Sequence, residues 1–150
     1  MMRLETERLT IVPVDHQLVE RLSPEYYEIH GFIKSYLDKL QEDESLLGWG
    51  VWFVIEKESG RIVGDLGFKG KPVDHTVEIG YGIIPSAQGQ GYATEAAHKL
   101  IEWSLSTKLV SRVIAECLED NIASIHVLEK LGFEETGAKD KMLKWKWRDR

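Results

Sequence analysis

The sequence predicts a mixed α/β fold, a mostly antiparallel central sheet of about six or seven strands with helices on both faces. Three observations lead there. Short β-rich runs bounded by Pro and Gly recur along the chain. Two longer stretches repeat their apolar residues at the helical period. The two kinds of segment are interspersed, with no linker, internal repeat or low-complexity tract between them. One domain over residues 1–150 accounts for all of it: 150 residues, 43% apolar and 29% charged, are enough for a single sizeable core.

Each element has its own signal. Residues 8–14 (Arg-Leu-Thr-Ile-Val-Pro-Val) read as a strand closed by Pro13. From Asp15 to near Leu40 the chain reads as helical, interrupted at Ser23-Pro24, a cap followed by a residue suited to a first turn. Val51–Ile55 is a strand, Ser59-Gly60 turns into a second around Ile62–Phe68, and a third runs from Thr76 to Ile84, stopping at Pro85. At about 100° per residue, Ala93, Ala96, Ala97, Leu100 and Ser104 share one side of a helix spanning Gly91–Ser106, with Glu95, His98, Lys99 and Glu102 opposite. Val110–Leu118 is β-rich. From Asn121 to Leu131, Ile125, Leu128 and Leu131 form an apolar stripe, and Gly132 supplies the stop. Leu143, Trp145 and Trp147 alternate with Lys144, Lys146 and Arg148, the pattern of a strand buried on one face.

Composition narrows the function classes. Twenty-five acidic against 19 basic residues, a net charge of -6, disfavour a nucleic-acid binder, which needs Lys and Arg to neutralise phosphates. No run approaches the roughly 18 apolar residues of a membrane span. Met1-Met2-Arg3 runs into Glu5, Glu7 and Arg8, unlike a secretory leader. A lone Cys117 forms no internal disulfide, so a cytoplasmic location is expected. No Cys/His/Asp cluster has metal-ligand spacing, so no metal is expected.

The informative stretch runs from Glu78 to Ala97. A strand ends at Pro85, a loop carries Gln88-Gly89-Gln90-Gly91, and an Ala-rich helix begins at once. Helix N-termini leave main-chain N–H groups unpaired and partly positive. Without Cβ atoms at Gly89 and Gly91 a phosphate can approach those donors. The dinucleotide fingerprint is excluded by Thr94 where a third glycine belongs, and a P-loop by the lack of Gly-Lys-Ser/Thr. On the residues alone, both glycines serve equally well as plain turn residues.

Gln88-x-x-Gly91-x-Ala93 resembles the Q/R-x-x-G-x-G/A coenzyme A motif of the GNAT N-acetyltransferases. Asn121-Ile-Ala-Ser124 through Gly132-Phe133 is similar to the superfamily's second signature, and Glu5-Thr-Glu-Arg-Leu9 to the opening of its ribosomal-protein N-terminal (RimJ/RimL-like) branch. The three stand in the expected order. The resemblance implies the GNAT fold, with two neighbouring strands splayed into a slot for acetyl-CoA, the cosubstrate. It implies that main-chain N–H groups of Gln88, Gly89, Gln90, Gly91, Tyr92 and Ala93 hold the diphosphate. Ile83 and Ile84 would pair with the pantetheine arm like an added strand, and Asn121 and Ser124 would contact the coenzyme. Gln88 stands where many relatives have Arg. The implied acceptor is an amine, on a protein N-terminus or a small molecule, and the implied assembly is a monomer or homodimer.

Acetyl transfer to an amine needs a neutral amine, a polarised thioester carbonyl and a protonated leaving thiolate. A lysine amine (pKa about 10.4) is mostly protonated at neutral pH, whereas an α-amine (about 7.8) is partly free, so N-terminal acceptors ask little of a base. Glu116, in the otherwise apolar run Val113–Leu118, ranks ahead of Glu78 as that base, through a water if needed; apolar surroundings would raise its pKa. An ion-paired structural glutamate is an equally good reading of each. Asn121 and Ser124 fall on the apolar side of their helix. Asn121 reads equally as a cap, and Ser124 is the first choice of acid for the sulfur, because the position where some relatives carry Tyr is Leu128. His98 and His126 point to solvent, His75 is ambiguous, Cys117 reads as a buried thiol, and Trp49, Trp52 and Phe53 fit either an acceptor pocket or the core. Two other classes share these features: an antibiotic or polyamine acetyltransferase, and a non-catalytic acyl-CoA-binding module.

Overall fold

A computed structural model describes residues 2–21 and 31–147. Eight strands form one sheet in the order β1-β2-β3-β4-β5-β6-β8-β7. They are β1 (Leu4–Glu5), β2 (Leu9–Pro13), β3 (Val51–Glu56), β4 (Ile62–Phe68), β5 (Thr76–Ile83), β6 (Arg112–Leu118), β7 (Phe133–Lys139) and β8 (Met142–Trp147). The helices are α1 (His16–Glu20), α2 (Gly31–Glu42), α3 (Tyr92–Ser106) and α4 (Ile122–Leu131). The expected strand number is exceeded by the two-residue β1, too short to leave a periodic signal. The Ser23-Pro24 interruption and Arg148 lie outside the described residues. Among the described residues no helix is long and apolar enough to cross a membrane.

Alternation along the strands sorts side chains onto two faces. Trp52, Val54, Val77, Ile79, Val113 and Ala115 pack with α3 and α4. Phe53, Val51 and Val14 pack on the other face against Ile33, Tyr36 and Leu40 of α2. The small side chains of α3 let that helix lie close to the sheet: Ala96, Ala97 and Leu100 are at most 1% exposed. Ser104, fully buried on the same stripe, is satisfied by its own helix through Ile101 O at 2.8 Å. Trp49, Trp52 and Phe53 resolve to core, with the Trp103 ring tilted against Trp49 at 4.8 Å and edge-on to Trp52 at 5.1 Å.

All neighbouring strands pair antiparallel except β5 and β6, which run parallel. Their pairing stops after three rows, Thr76–Arg112, Val77–Val113 and Glu78–Ile114. Both strands continue, β5 to Ile83 and β6 to Leu118. The sheet therefore parts into a β1–β5 half that leads into α3 and a β6–β8–β7 half that carries α4.

Candidate active site

The parting of β5 and β6 and the loop at its open end bring most of the candidate residues together. In β5 the even-numbered residues give their main chain to β4: Lys69 N donates to Glu78 O, and Ile84 N to Val63 O at 2.8 Å. The odd ones, Tyr81 and Ile83, therefore turn their main-chain groups to the gap. Ile84 does not fit the expected role of strand partner, because its N–H is bound to Val63 and its carbonyl accepts Ala87 N at 2.9 Å. Ile83 does fit, and its carbonyl accepts the side-chain amide of Gln88 at 2.9 Å.

Beyond a short 3-10 turn at Pro85–Ala87, Gly89 and Gly91 adopt φ of +80° and +82°, the left-handed region that glycine enters without strain. No heavy atom lies within 4 Å of where a Cβ on Gly89 would sit, so the requirement there is conformational and the space over the loop is open. Gly91 is the N-cap of α3 and brings no side-chain cap, and the first helical bond is Glu95 N to Gly91 O. Helix geometry leaves the N–H groups of Tyr92, Ala93 and Thr94 without intrahelical acceptors. An uncapped 15-residue helix thus presents convergent donors and its positive end beside the gap.

A polar network holds this helix end from behind, and sequence reasoning missed it. Arg8 lies over the Tyr92 ring at 4.5 Å and binds Glu95 Oε1 at 2.8 Å. Glu95 Oε2 accepts the Arg8 main-chain N–H and the Thr6 hydroxyl. Partial burial pushes the Glu95 carboxyl upward, but the bonds from Thr6 and Arg8 outweigh it and hold the group below the usual glutamate range. The Tyr92 hydroxyl donates to Glu56 at 2.6 Å and, with Ser59, keeps that carboxyl low as well. The Glu-Thr-Glu-Arg run carried a family resemblance but nothing that announced its partner.

Across the gap, Asn121 is the N-cap of α4. Its Oδ1 accepts Ser124 N at 3.1 Å and the residue is exposed, contrary to the expected place on the buried stripe. The helical wheel misplaced it because a cap precedes the first helical residue and does not share the helix's periodicity. Ser124 is half-buried, and its main-chain carbonyl accepts the Tyr81 hydroxyl at 3.3 Å. Burial pushes the Tyr81 phenol up to about 12, so it stays a donor throughout the neutral range.

Glu78 and Glu116 both point to the face opposite α3 and α4, as alternation with Val77, Ile79, Ala115 and Cys117 requires. The apolar surroundings expected of Glu116 are not there. Its residue is exposed, and Lys144, its cross-strand neighbour on β8, reaches Oε1 at 3.2 Å. Glu78 is more enclosed, with 22% of its side chain exposed, and sits in the last paired row before the strands part. Lys69 Nζ lies 2.5 Å from its Oε2, an ion pair whose angles fall outside those of a hydrogen bond. Cys117 is buried, and His75, His98 and His126 are exposed. Among the described residues no group of three or more His, Cys, Asp or Glu is arranged to hold a metal.

Comparison with known proteins points to one family. Residues 8–134 match the acetyltransferase (GNAT) domain. An N-acetyltransferase of Bacillus subtilis, YjdG, is 35% identical, with 89% of this chain and 90% of that protein covered. The [ribosomal protein uS5]-alanine N-acetyltransferase of Escherichia coli is 28% identical over 98% of this chain and 87% of its own. Among solved structures, a RimL ribosomal L7/L12 alpha-N-protein acetyltransferase in complex with coenzyme A superposes with a TM-score of 0.74 at 19% identity, covering 97% of each chain.

Proposed function

The chain belongs to the GNAT acetyltransferase family, and from that premise we propose that its acceptor is the α-amine of a peptide N-terminus, acetylated by direct attack in a ternary complex. The observation that carries the reading is the uncapped start of α3 beside the parting of β5 and β6. Donors from Gly89 to Ala93 hold the diphosphate there, the Gln88 N–H expected among them being bound to Pro85 O at 3.3 Å, and the gap-facing main chain of Ile83 receives the pantetheine arm once the Gln88 amide gives way.

The amine nitrogen attacks the thioester carbonyl carbon, the C–S bond breaks, and the thiolate leaves with the electron pair. Ser124 supplies the proton to sulfur and is reprotonated from water, while the ammonium proton passes through water to Glu78, which releases it to solvent. Glu78 takes precedence over Glu116 because it is the more enclosed of the two and stands where the strands divide. The choice of acceptor is supported by the E. coli relative, a [ribosomal protein uS5]-alanine N-acetyltransferase.

Release of free thiol from acetyl-CoA, followed with a panel of peptides, polyamines and aminoglycosides, tests the proposal. Turnover with free peptide N-termini, abolished by N-terminal blocking, is the expected result. Preference for a polyamine or aminoglycoside would replace the acceptor. Tight coenzyme binding with no turnover on any amine would make the chain a binding module.

A further inference from the structure

The two halves of the sheet are joined unevenly. At the closed end, three rows of β5–β6 pairing and main-chain bonds from Ser111 and Arg112 to His75 O hold them together. Beyond Glu78 the strands separate, and there Tyr81 reaches from β5 to the main-chain carbonyl of Ser124 in the first turn of α4, 43 residues away. Helix geometry already pairs that carbonyl with the N–H of Leu128, and the phenol takes its second lone pair.

The ring is well placed to aim its hydroxyl. Tyr81 lies in one cross-strand row with Leu66 and Trp52, which are 3% and 0% exposed, and it packs against the core they form. The hydroxyl itself meets an acceptor that can only accept, and the phenol remains protonated through the neutral range. At 3.3 Å the bond is long for O–H···O and contributes little to global stability. Its place, between the side of the gap that carries the diphosphate loop and the side that carries Ser124, is what gives it consequence.

We infer that Tyr81 is a positioning residue for acetyl transfer: its hydroxyl ties α4 to β5 across the parting and fixes Ser124 relative to the coenzyme side of the site. The inference rests on the acetyl-transfer reading for its effect on turnover, though not for the tie itself. Gln88–Ala93 and Ile83 all belong to the β5–α3 half. Without the tie the coenzyme keeps those contacts while α4 and its serine drift.

Tyr81→Phe keeps the ring and deletes the bond. The melting temperature should fall by less than about 5 °C, and the dissociation constant for coenzyme A should stay within about threefold. Amide exchange over residues 122–128 should quicken by up to about tenfold, the worth of one hydrogen bond, with α3 unchanged. Turnover at saturating acetyl-CoA should fall by about tenfold, and the same substitution in a Ser124→Ala background should cost almost nothing further. Unchanged exchange in α4 overturns the tie. Quickened exchange with undiminished turnover overturns the positioning role, as does equal loss in both backgrounds. If the parent protein binds no coenzyme A, the acetyl-transfer reading falls, and the exchange measurement still judges the tie.

Discussion

Replacing Gly91 with alanine separates the conformational demand of the loop from its binding role. Gly91 sits at φ +82°, ψ 11°, and a Cβ there would meet only Arg8 Nη2, at 3.5 Å, an ordinary contact. The cost is therefore backbone strain rather than a clash, about 1–2 kcal/mol for a non-glycine residue in the left-handed region. In a domain of this size that corresponds to a fall of roughly 2–8 °C in melting temperature. The strain is relieved by rotating the Gly91–Tyr92 peptide, which turns the Tyr92 N–H away from the diphosphate. A hydrogen bond to a charged group contributes about 1.5–3 kcal/mol, so coenzyme A affinity should drop by at least about tenfold. Gly70→Ala is the matched control. It lies between β4 and β5 at φ +118° with no heavy atom within 4 Å of its Cβ position, so it carries similar or greater strain with no ligand nearby. Calorimetric titration with coenzyme A and thermal melts on both variants give the comparison. Equal affinity loss in both, or full affinity in Gly91→Ala, would refute the assignment of the α3 amides.

Glu78→Gln should lower turnover on a peptide acceptor by on the order of a hundredfold, the range for loss of a general base, while Glu116→Gln stays within about threefold of the parent; steady-state kinetics at saturating acetyl-CoA distinguishes them, and the reverse order restores Glu116. Glu95→Gln should destabilise the protein at neutral pH. The Glu95 carboxyl is depressed below its ordinary 4.5 in the folded state, so its stabilisation is present above that value and lost as pH falls through the folded one; urea melts between pH 3 and 7 should converge with the parent at the acid end, and a constant gap would contradict the pairing. Asn121→Ala should cost about 1 kcal/mol through loss of the α4 cap while Asn121→Asp costs little, as thermal melts will show.

Local periodicity and punctuation made most of the fold legible. Pro13 and Pro85 mark where strands stop, Gly132 ends α4 at φ 93°, and the Ala96–Ala97–Leu100 stripe foretold a helix lying flat on the sheet. The coenzyme loop was legible for a related reason. The donors proposed there are main-chain groups, and the two glycines of the loop lie only two positions apart in sequence. What escaped reading depends on pairs distant in the chain. Arg8 and Glu95 are 87 residues apart, Tyr92 and Glu56 are 36 apart, and neither partner carries a local sign of the other. The apolar surroundings expected of Glu116 did not follow from its strand because alternation says which face a side chain takes but not whether that face is covered. In β6 it is open, and Lys144 is the neighbour that register supplies.

The protonation state of the amine bears on the acceptor. At pH 7.4 an amine of pKa about 7.8 is roughly one-quarter to one-third neutral, whereas a lysine amine of about 10.4 is neutral at roughly one part in a thousand. Amine protonation alone therefore sets a bias of over two orders of magnitude towards α-amines, before any base or pocket discriminates. Glu78 and Glu116 each pair with a lysine ammonium, Lys69 and Lys144. In the reaction proposed above Glu78 receives a proton through water after attack, when the amine nitrogen has become strongly acidic. On the proposed reading main-chain donors hold the coenzyme on the β5–α3 side while the opposite face carries the carboxylates, so the two substrates would meet edge to edge at the parting. Positioning within that gap then accounts for much of the rate, which is why a single hydroxyl spanning it, on Tyr81, has consequences larger than its bond strength.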